Sequence, residues 1–282
     1  MDNLYKEEGI ILQVDNLSVA YGDKVIIRDI SFIERNVTRE DLNQGQVIAV
    51  LGRSGRGKST LFRAMTGLVK PTSGKVLIPD YAQTPKDGLQ PAKEVGEGDV
   101  GFVDQKYTLF RHKTVLETLH FSLRNSRDTE EAKKEKVMKY LVEWGLEKVK
   151  AQYPNELSGG QRQRVAIIEQ LLSSGHYLVL DEPFSGLDVG NILNARKSFE
   201  LVEMSHDLNT IIFSTHDIEL ASELADSIYV IGYPKMNDGS LGSVGTLVKH
   251  FDLKAIGLAW RNDFTPDHIE LVKEIKACML AS

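Results

Sequence analysis

The first 33 residues of the chain contain four short apolar runs separated by polar residues. The runs occupy residues 10–14, 17–20, 25–27 and 30–33, with a Tyr-Gly-Asp turn at residues 21–23. Short β-type runs with turns between them predict antiparallel strands. After a polar stretch, residues 34–46, that we expect to form a hairpin connection, the next run leads into a glycine-rich turn and a helical pattern near Lys58. This is the strand, loop and helix order of an α/β core.

Helical periodicity dominates the middle of the chain, from about residue 107 to residue 172. One helix is expected to open at Asp128, with Glu131 placed for a capping box. Strands at residues 177–180, 210–213 and 227–231 then alternate with helices at residues 192–204 and 217–224. Such alternation predicts a parallel sheet. A terminal helix is expected after Thr265, because Pro266 suits the first position of a helix.

Composition and charge narrow the class of protein. The chain has 282 residues, 41% hydrophobic and 26% charged, as is typical of soluble globular proteins. Its longest apolar runs fall short of the roughly 20 residues of a membrane helix, and its N-terminus lacks the apolar stretch of a secretory signal. The net charge of −6 is spread without a basic block, which argues against a nucleic acid partner. The lone Cys278 agrees with a reducing compartment, so we expect a cytoplasmic protein.

Residues 52–60 fit the phosphate-binding pattern G-x-x-x-x-G-K-[ST], between a predicted strand and a predicted helix. The candidate binding residues are Gly52, Ser54, Gly55, Gly57, Lys58, Ser59 and Thr60. Glycines let consecutive backbone N–H groups converge on phosphate oxygens, and the helix N-terminus adds partial positive charge. Lys58 is expected to reach the β- and γ-phosphates of ATP, and Ser59 to ligate Mg²⁺. Arg53 and Arg56 occupy variable positions and are assigned no catalytic role.

Two adjacent acids, Asp181 and Glu182, follow the apolar run at residues 177–180. Ligands of parallel α/β sheets gather at the carboxyl ends of the strands. Because successive side chains on a strand point to opposite faces, the two acids can take different roles. We expect Asp181 to help hold Mg²⁺ and Glu182 to polarise the attacking water.

A second helix start that can accept an anion lies at Ser158, Gly159, Gly160 and Gln161, with Ser158 suited to the N-cap. Residues 52–60 already supply one nucleotide with donors, so this second helix start can serve a nucleotide held by a partner. An ordinary capped helix is the alternative, and the segment alone does not decide between them.

The sequence LSGGQ at residues 157–161 resembles the signature of ABC ATPases, and the resemblance extends from about residue 11 to residue 246. The fold implied is α/β, a P-loop NTPase core with a mostly parallel sheet, an N-terminal antiparallel β subdomain and an inserted α-helical subdomain. The expected core comprises residues 1–104 and 174–246. The helical subdomain is expected at residues 105–173, and residues 247–282 form a C-terminal tail with a terminal helix.

The resemblance also implies roles for single residues. Tyr21 matches the aromatic residue that stacks on adenine. Gln105 matches the glutamine that senses the γ-phosphate and the membrane partner, and it is a candidate metal ligand. Asp188 belongs to a segment, residues 185–188, that resembles the D-loop coupling two sites, and His216 resembles the switch histidine that contacts the γ-phosphate.

The family arrangement implies a head-to-tail dimer. Residues 52–60 of one cassette and residues 158–161 of the other would enclose each ATP, and the partner is a second copy or a related cassette. Integral membrane permease subunits are the further partners implied, together with a solute-binding protein in some systems. The chain would then lie on the cytoplasmic face of the membrane, bound through the permease.

Residues 109–118 and 181–188 resemble those of small-solute importers. In importers the first segment lies near the groove for the coupling helix of the permease, so Phe110 is the candidate contact; the alternative is that it caps the core of the helical subdomain. The alternative function is a soluble ABC ATPase of an assembly pathway, such as iron–sulfur cluster assembly. DNA-repair and chromosome-structure members are largely excluded, because too few residues separate Gln105 from Ser158 for a coiled-coil arm.

Overall fold

A computed structural model of the protein describes residues 5–38, 45–86, 89–185, 189–206, 208–260 and 263–282. The strands are β1 (Lys6–Tyr21), β2 (Lys24–Thr38), β3 (Gln46–Leu51), β4 (Ser73–Pro79), β5 (Ala92–Glu94), β6 (Gly101–Val103), β7 (Tyr177–Leu180), β8 (Thr210–Thr215), β9 (Ser227–Gly232) and β10 (Thr246–Asp252). The α-helices are α1 (Lys58–Met65), α2 (Val115–Ser122), α3 (Glu130–Glu143), α4 (Gly159–Ser174), α5 (Val189–Ser205), α6 (Ile218–Leu224) and α7 (Pro266–Leu280). Short 3-10 turns lie at Leu123–Asn125, Glu147–Val149 and Pro154–Glu156.

The N-terminal sheet is antiparallel, in the order β2-β1-β4-β5. The predicted antiparallel pairing is confirmed, and the turn at residues 21–23 joins the two strands as expected; the four apolar runs fall within only two long strands, β1 and β2. Asn16 and Asp29 lie at the polar interruptions with φ of 45° and 50°, and the pairing shifts register beside them. Asn and Asp tolerate this left-handed backbone, so a bulge bends each strand at its polar interruption.

The polar connection predicted at residues 34–46 begins as part of a strand, because β2 continues to Thr38. Gln46 is already in β3. Residues 39–44 lie outside the described part of the chain.

The central sheet is mainly parallel, in the order β10-β9-β3-β8-β7-β6. Strands β9, β3, β8, β7 and β6 are parallel to one another, and β10 pairs antiparallel with β9. Every residue of β3, β7, β8 and β9 is buried, as expected for strands covered on both faces. The parallel core is therefore confirmed. Strand β10 was not predicted, and the expected boundary between core and tail falls at its start.

The middle of the chain packs as a helical region built on α2, α3 and α4. Its core contains Val115, Leu119, Val137, Leu141, Trp144 and Val165. Helix α3 begins one residue later than predicted: the Thr129 hydroxyl accepts from the backbone N–H of Ala132, so Thr129 is the N-cap. Asp128 instead accepts a hydrogen bond from the hydroxyl of Ser126, which takes its carboxylate away from the helix end.

The terminal helix α7 begins at Pro266 with Thr265 as its N-cap, as predicted. It buries Leu271 and Ile275 and packs against α6 and β9. The tail is thus attached to the same sheet that carries the candidate site.

Candidate functional site

The loop before α1 meets the carboxyl ends of β7 and β8 at one edge of the central sheet, where they enclose a cavity of about 510 Å³. The cavity is lined by Ile26, Ser54, Gly55, Gly57, Lys58, Ser59, Thr60, Gln105, Asp181, Glu182, Ser185 and His216. Residues far apart in sequence converge here because parallel strands end at the same edge of a sheet.

Glycines shape the phosphate-binding loop, residues 52–60. Gly57 has φ of 101°, and a Cβ atom there would lie 2.3 Å from Cγ2 of Ile27. A Cβ atom at Gly52 would lie 2.3 Å from the carbonyl oxygen of Ile231. Only glycine fits either position, so the loop can run close to β2 and β9 while its amides remain available to a ligand.

Lys58 opens α1 and its side chain is only 8% exposed. Its Nζ donates a hydrogen bond to the carbonyl oxygen of Gly52 at 2.7 Å and lies 3.6 Å from Oε1 of Glu182. The ammonium group is therefore held across the loop, facing the acids at the end of β7.

Asp181 and Glu182 follow β7 and line the same cavity. From the alternation of side chains along a strand, we expected the two acids to point to opposite faces. Both instead line one cavity, because β7 ends at Leu180, before either acid. The backbone of Glu182 has φ of 52°, an uncommon conformation for a residue with a side chain, and such conformations concentrate at functional sites. Its Oε2 lies 3.0 Å from Nδ1 of His216, whose side chain is 71% exposed. The carboxylate of Glu182 is thus placed between Lys58 and His216.

Ser214, in β8, contacts both acids and was missed by sequence reasoning. Its hydroxyl donates to Oδ1 of Asp181 at 2.7 Å and accepts the backbone N–H of Glu182 at 2.9 Å. The side chain is fully buried. Its only signal in the sequence was a polar residue directly after the apolar run at residues 210–213.

Gln105 follows β6 and donates its side-chain amide hydrogen to Oγ of Ser185 at 3.1 Å. Ser185 is the only residue of the expected D-loop within the described part of the chain. Asp188 lies outside it, as do residues 186 and 187.

Two hydrogen bonds join the helical region to Pro183, the residue that follows Glu182. The hydroxyl of Tyr107 and the side-chain amide of Gln163 both donate to the carbonyl oxygen of Pro183, at 2.6 and 2.9 Å. Burial raises the pKa of Tyr107 to about 12, so its hydroxyl keeps the donated hydrogen at neutral pH. This contact was also missed, because nothing local to Tyr107, or to Gln163 just after the signature, indicates that they share one acceptor.

The signature residues lie elsewhere on the surface. Ser158 caps α4: its hydroxyl accepts the backbone N–H of Gln161 at 3.3 Å, and its own N–H donates to the side chain of Gln161 at 2.9 Å. Ser158 and Gly159 are exposed, Gly160 is buried, and none of the four is among the described residues that line the cavity. Tyr21, at the end of β1, is 47% exposed and likewise lies outside the lining.

Three oxygen-bearing side chains of the cavity lining, Ser59, Asp181 and Gln105, suit Mg²⁺, which prefers oxygen ligands. Within the described ranges, no group of three or more His, Cys, Asp or Glu side chains could hold a metal ion by itself.

A strand, a glycine-rich loop and a helix that opens with Lys58, facing an acidic pair on a parallel strand, define a P-loop nucleotide-binding protein. A family model described as "ABC transporter" matches residues 36–185. The chain therefore belongs to the ABC transporter family.

Relatives and solved structures agree with this assignment. The chain is 37% identical over 237 residues to the sulfate/thiosulfate import ATP-binding protein CysA of Synechocystis sp., covering 83% of this chain and 60% of that protein. It is 35% identical over 239 residues to the spermidine/putrescine import ATP-binding protein PotA of Spiroplasma citri, covering 84% of this chain and 61% of that protein. It thus spans about 60% of the length of these relatives. The structure of CbiO1 from Clostridium perfringens, part of the ABC transporter complex CbiONQ, superposes with a TM-score of 0.69 at 25% identity, covering 97% of this chain and 98% of that chain.

No helix within the described ranges is both long and apolar enough to cross a membrane.

Proposed function

We propose that this chain is the ATP-hydrolysing subunit of an ABC importer for a small solute, and that it acts as a head-to-tail dimer on the cytoplasmic face of the membrane. The observation that carries the proposal is the convergence of Lys58, Asp181, Glu182 and His216 on one cavity, while the signature residues, Ser158–Gln161, lie outside that cavity. The cavity supplies one half of a phosphate-binding site, and the signature residues of the same chain supply a second half at a different place on the molecule.

Within one chain, the phosphate-binding loop, the acidic pair, Gln105 and His216 of the cavity act together with Tyr21 outside it. The loop amides and Lys58 bind the phosphates of ATP. Ser59 and Asp181 would hold Mg²⁺, with Gln105 beside them, and the ion would neutralise charge on the phosphate oxygens. Glu182 accepts a proton from the attacking water, and His216, 3.0 Å away, orients towards the γ-phosphate. Tyr21 would stack on adenine.

The second half of each site would come from another cassette. Its Ser158, Gly159, Gly160 and Gln161 present a helix N-terminus, which attracts anions. Because the two cassettes exchange equivalent contacts, the arrangement closes on itself as a dimer. Asp188 would connect the two sites. ATP binding closes such a dimer and hydrolysis reopens it.

The helical region offers a contact for the permease. Phe110 is 38% exposed and packs edge-on against Phe121, with ring centroids 5.4 Å apart. Its chain neighbours Leu109 and Arg111 line a groove of about 590 Å³. Tyr107 lines the same groove, and its hydroxyl donates to the carbonyl oxygen of Pro183, the residue after Glu182. A permease segment bound there would be linked to the hydrolytic site through this hydrogen bond.

The solute is not chosen by this chain. Relatives of comparable identity include an import protein for the anion sulfate and one for the cations spermidine and putrescine. These names give solutes of opposite charge, so similarity of the cassettes does not indicate the solute, and we assign that choice to the permease and to a solute-binding protein.

A mixed-dimer experiment tests the shared site. Lys58→Ala and Ser158→Arg should each abolish ATP hydrolysis, because each damages both sites of a homodimer. Mixing the two variants should restore about a quarter of the wild-type rate, since half of the randomly formed dimers contain one intact site. Failure of the mixture to recover, with both variants folded and exchanging subunits, would argue against a shared site.

Co-purification tests the transport role. The tagged protein should be recovered with an integral membrane permease, and Phe110→Ala should weaken that association. Recovery of only soluble cluster-assembly proteins would favour the assembly function and contradict the proposal.

A further inference from the structure

Arg56 lies within the phosphate-binding loop, but its side chain is not among the groups that line the cavity. Its guanidinium carbon lies 3.6 Å from the centroid of the Tyr233 ring. Its Nη2 donates to the main-chain oxygen of Ser282 at 3.3 Å. A stacked cation with an added hydrogen bond is a specific attachment, because it requires the planar guanidinium in one orientation.

Ser282, two residues after α7, is buried against Gly232 of β9. The residue is only 4% exposed. A Cβ atom at Gly232, the last residue of β9, would lie 2.4 Å from Oγ of Ser282. Gly232 therefore provides the space that Ser282 fills, and the buried residues Leu271 and Ile275 fix α7 on the sheet.

The backbone of the loop is closely approached by Gly245 on the same side. A Cβ atom at Gly245 would lie 2.1 Å from the carbonyl oxygen of Arg56, so only glycine allows this approach. Gly245 donates its N–H to the carbonyl of Ile26 at 2.9 Å and accepts from the N–H of Arg28 at 2.9 Å. Residues 233–245, which connect β9 to β10, therefore contact both β2 and the phosphate-binding loop.

We infer that Arg56 is a positioning residue for the phosphate-binding loop, and that its contacts with Tyr233 and Ser282 let the C-terminal segment set the affinity for ATP. The inference rests on the proposed ATPase function. The loop must hold Gly57 at a φ of 101° for its amides to converge. An attachment from outside the cavity pre-organises that conformation and reduces the cost of ordering it when ATP binds.

The test is steady-state ATP hydrolysis by the full chain. Arg56→Ala should raise the KM for ATP about tenfold with kcat within about twofold, because it removes a cation–π contact and a hydrogen bond but no group that touches ATP. Arg53→Ala is the matched control: it removes an exposed positive charge from the same loop and reports the effect of charge alone. The KM increase should be clearly larger in Arg56→Ala.

Variants of Tyr233 separate positioning from a general loss of stability. Tyr233→Leu should raise KM as Arg56→Ala does, whereas Tyr233→Phe keeps the aromatic face and should resemble wild type. Combining Arg56→Ala with Tyr233→Leu should add little to either change, since both remove the same contact. Thermal unfolding verifies that each variant is folded.

The results distinguish this inference from the function on which it rests. A wild-type chain without ATPase activity would contradict both the proposed ATPase function and the positioning role of Arg56. An active wild type together with an Arg56→Ala variant whose KM matches that of Arg53→Ala would overturn the positioning role alone. Full additivity of the Arg56 and Tyr233 changes would also overturn it.

Discussion

Nδ1 of His216 lies 3.0 Å from Oε2 of Glu182, although 34 positions separate the two residues in sequence. The same carboxylate has its other oxygen 3.6 Å from Nζ of Lys58. Under the proposed function, Lys58 binds the phosphates of ATP and this carboxylate accepts a proton from water beside the γ-phosphate. This relationship makes Glu182 the first residue to test.

Glu182→Gln should reduce ATP turnover by about 10²–10⁴-fold, because the amide cannot act as a general base. Its shape is retained, so ATP should still bind and an ATP-bound dimer should accumulate. Phosphate release measures the first effect, and size-exclusion chromatography with ATP measures the second. Glu219→Gln, at an exposed acid in the first turn of α6, is the control. Normal hydrolysis by Glu182→Gln would remove this residue from the general-base role.

Ser214→Ala should lower kcat by about tenfold, because it removes the hydrogen bonds that position Asp181 and the backbone of Glu182. Ser222→Ala is a matched control: Ser222 is equally buried, but its hydroxyl donates only to the carbonyl oxygen of Ile218 in its own helix. Both variants should lose stability, and only Ser214→Ala should lose turnover. Equal turnover in the two variants would mean that Ser214 is merely structural.

From local patterns, the sequence predicted the parts of the site that are contiguous in the chain, whereas Gln105 and His216 were predicted only through the resemblance to ABC ATPases. The glycines and Lys58 of the loop and the pair Asp181 and Glu182 form local patterns, because a phosphate needs adjacent amides and a strand end can present neighbouring acids. Ser214 and Tyr107 reach the site from parts of the chain distant from residues 181–183, each through its one hydroxyl group. A lone serine or tyrosine carries no local pattern that separates these roles from ordinary packing.

The same distinction applies to the fold. The central strands were predicted because they are continuously apolar, whereas β10 has mostly exposed or half-buried residues and is a strand through its pairing with β9. The bulges at Asn16 and Asp29 resemble turns in sequence. Only the partner strand shows that the chain continues in the same direction through them.

A buried ion pair joins elements at the two ends of the chain. Nζ of Lys254 lies 3.6 Å from Oε2 of Glu34, and both side chains are 4% exposed. Burial alone would lower the pKa of Lys254, but Glu34, Asp252 and Asp226 together raise it, so it stays protonated. The hydroxyl of Tyr229 donates to the same Glu34 at 2.6 Å.

Lys254→Met should lower the free energy of unfolding by about 3–5 kcal/mol, because it leaves the carboxylate of Glu34 buried without its cation. Combining it with Glu34→Gln should recover part of that loss, since the buried charge is then removed. Urea unfolding of both variants and of wild type measures the difference. A double variant less stable than Lys254→Met would contradict this account.

Glu169, in α4, should make stability depend on pH. Burial raises its pKa to about 7 against a model-peptide value of 4.5, with Arg124 opposing the shift. The folded state therefore binds this proton more tightly than the unfolded state does. Its contribution to stability is complete below about pH 4.5 and declines as the pH rises to about 7, because the unfolded chain ionises first.

Glu169→Gln removes this dependence by replacing the acid with a neutral side chain of the same shape. The variant should resemble wild type near pH 5 and exceed it by roughly 1–3 kcal/mol in unfolding free energy near pH 8. Glu203, whose pKa burial and its neighbours Asp226 and Glu200 raise to about 8, titrates in both proteins and cancels in the comparison. Glu135→Gln, at an exposed position of α3, is the control and should follow wild type at both pH values. A constant difference between Glu169→Gln and wild type from pH 5 to pH 8 would show that Glu169 is not protonated in the folded state at the lower pH.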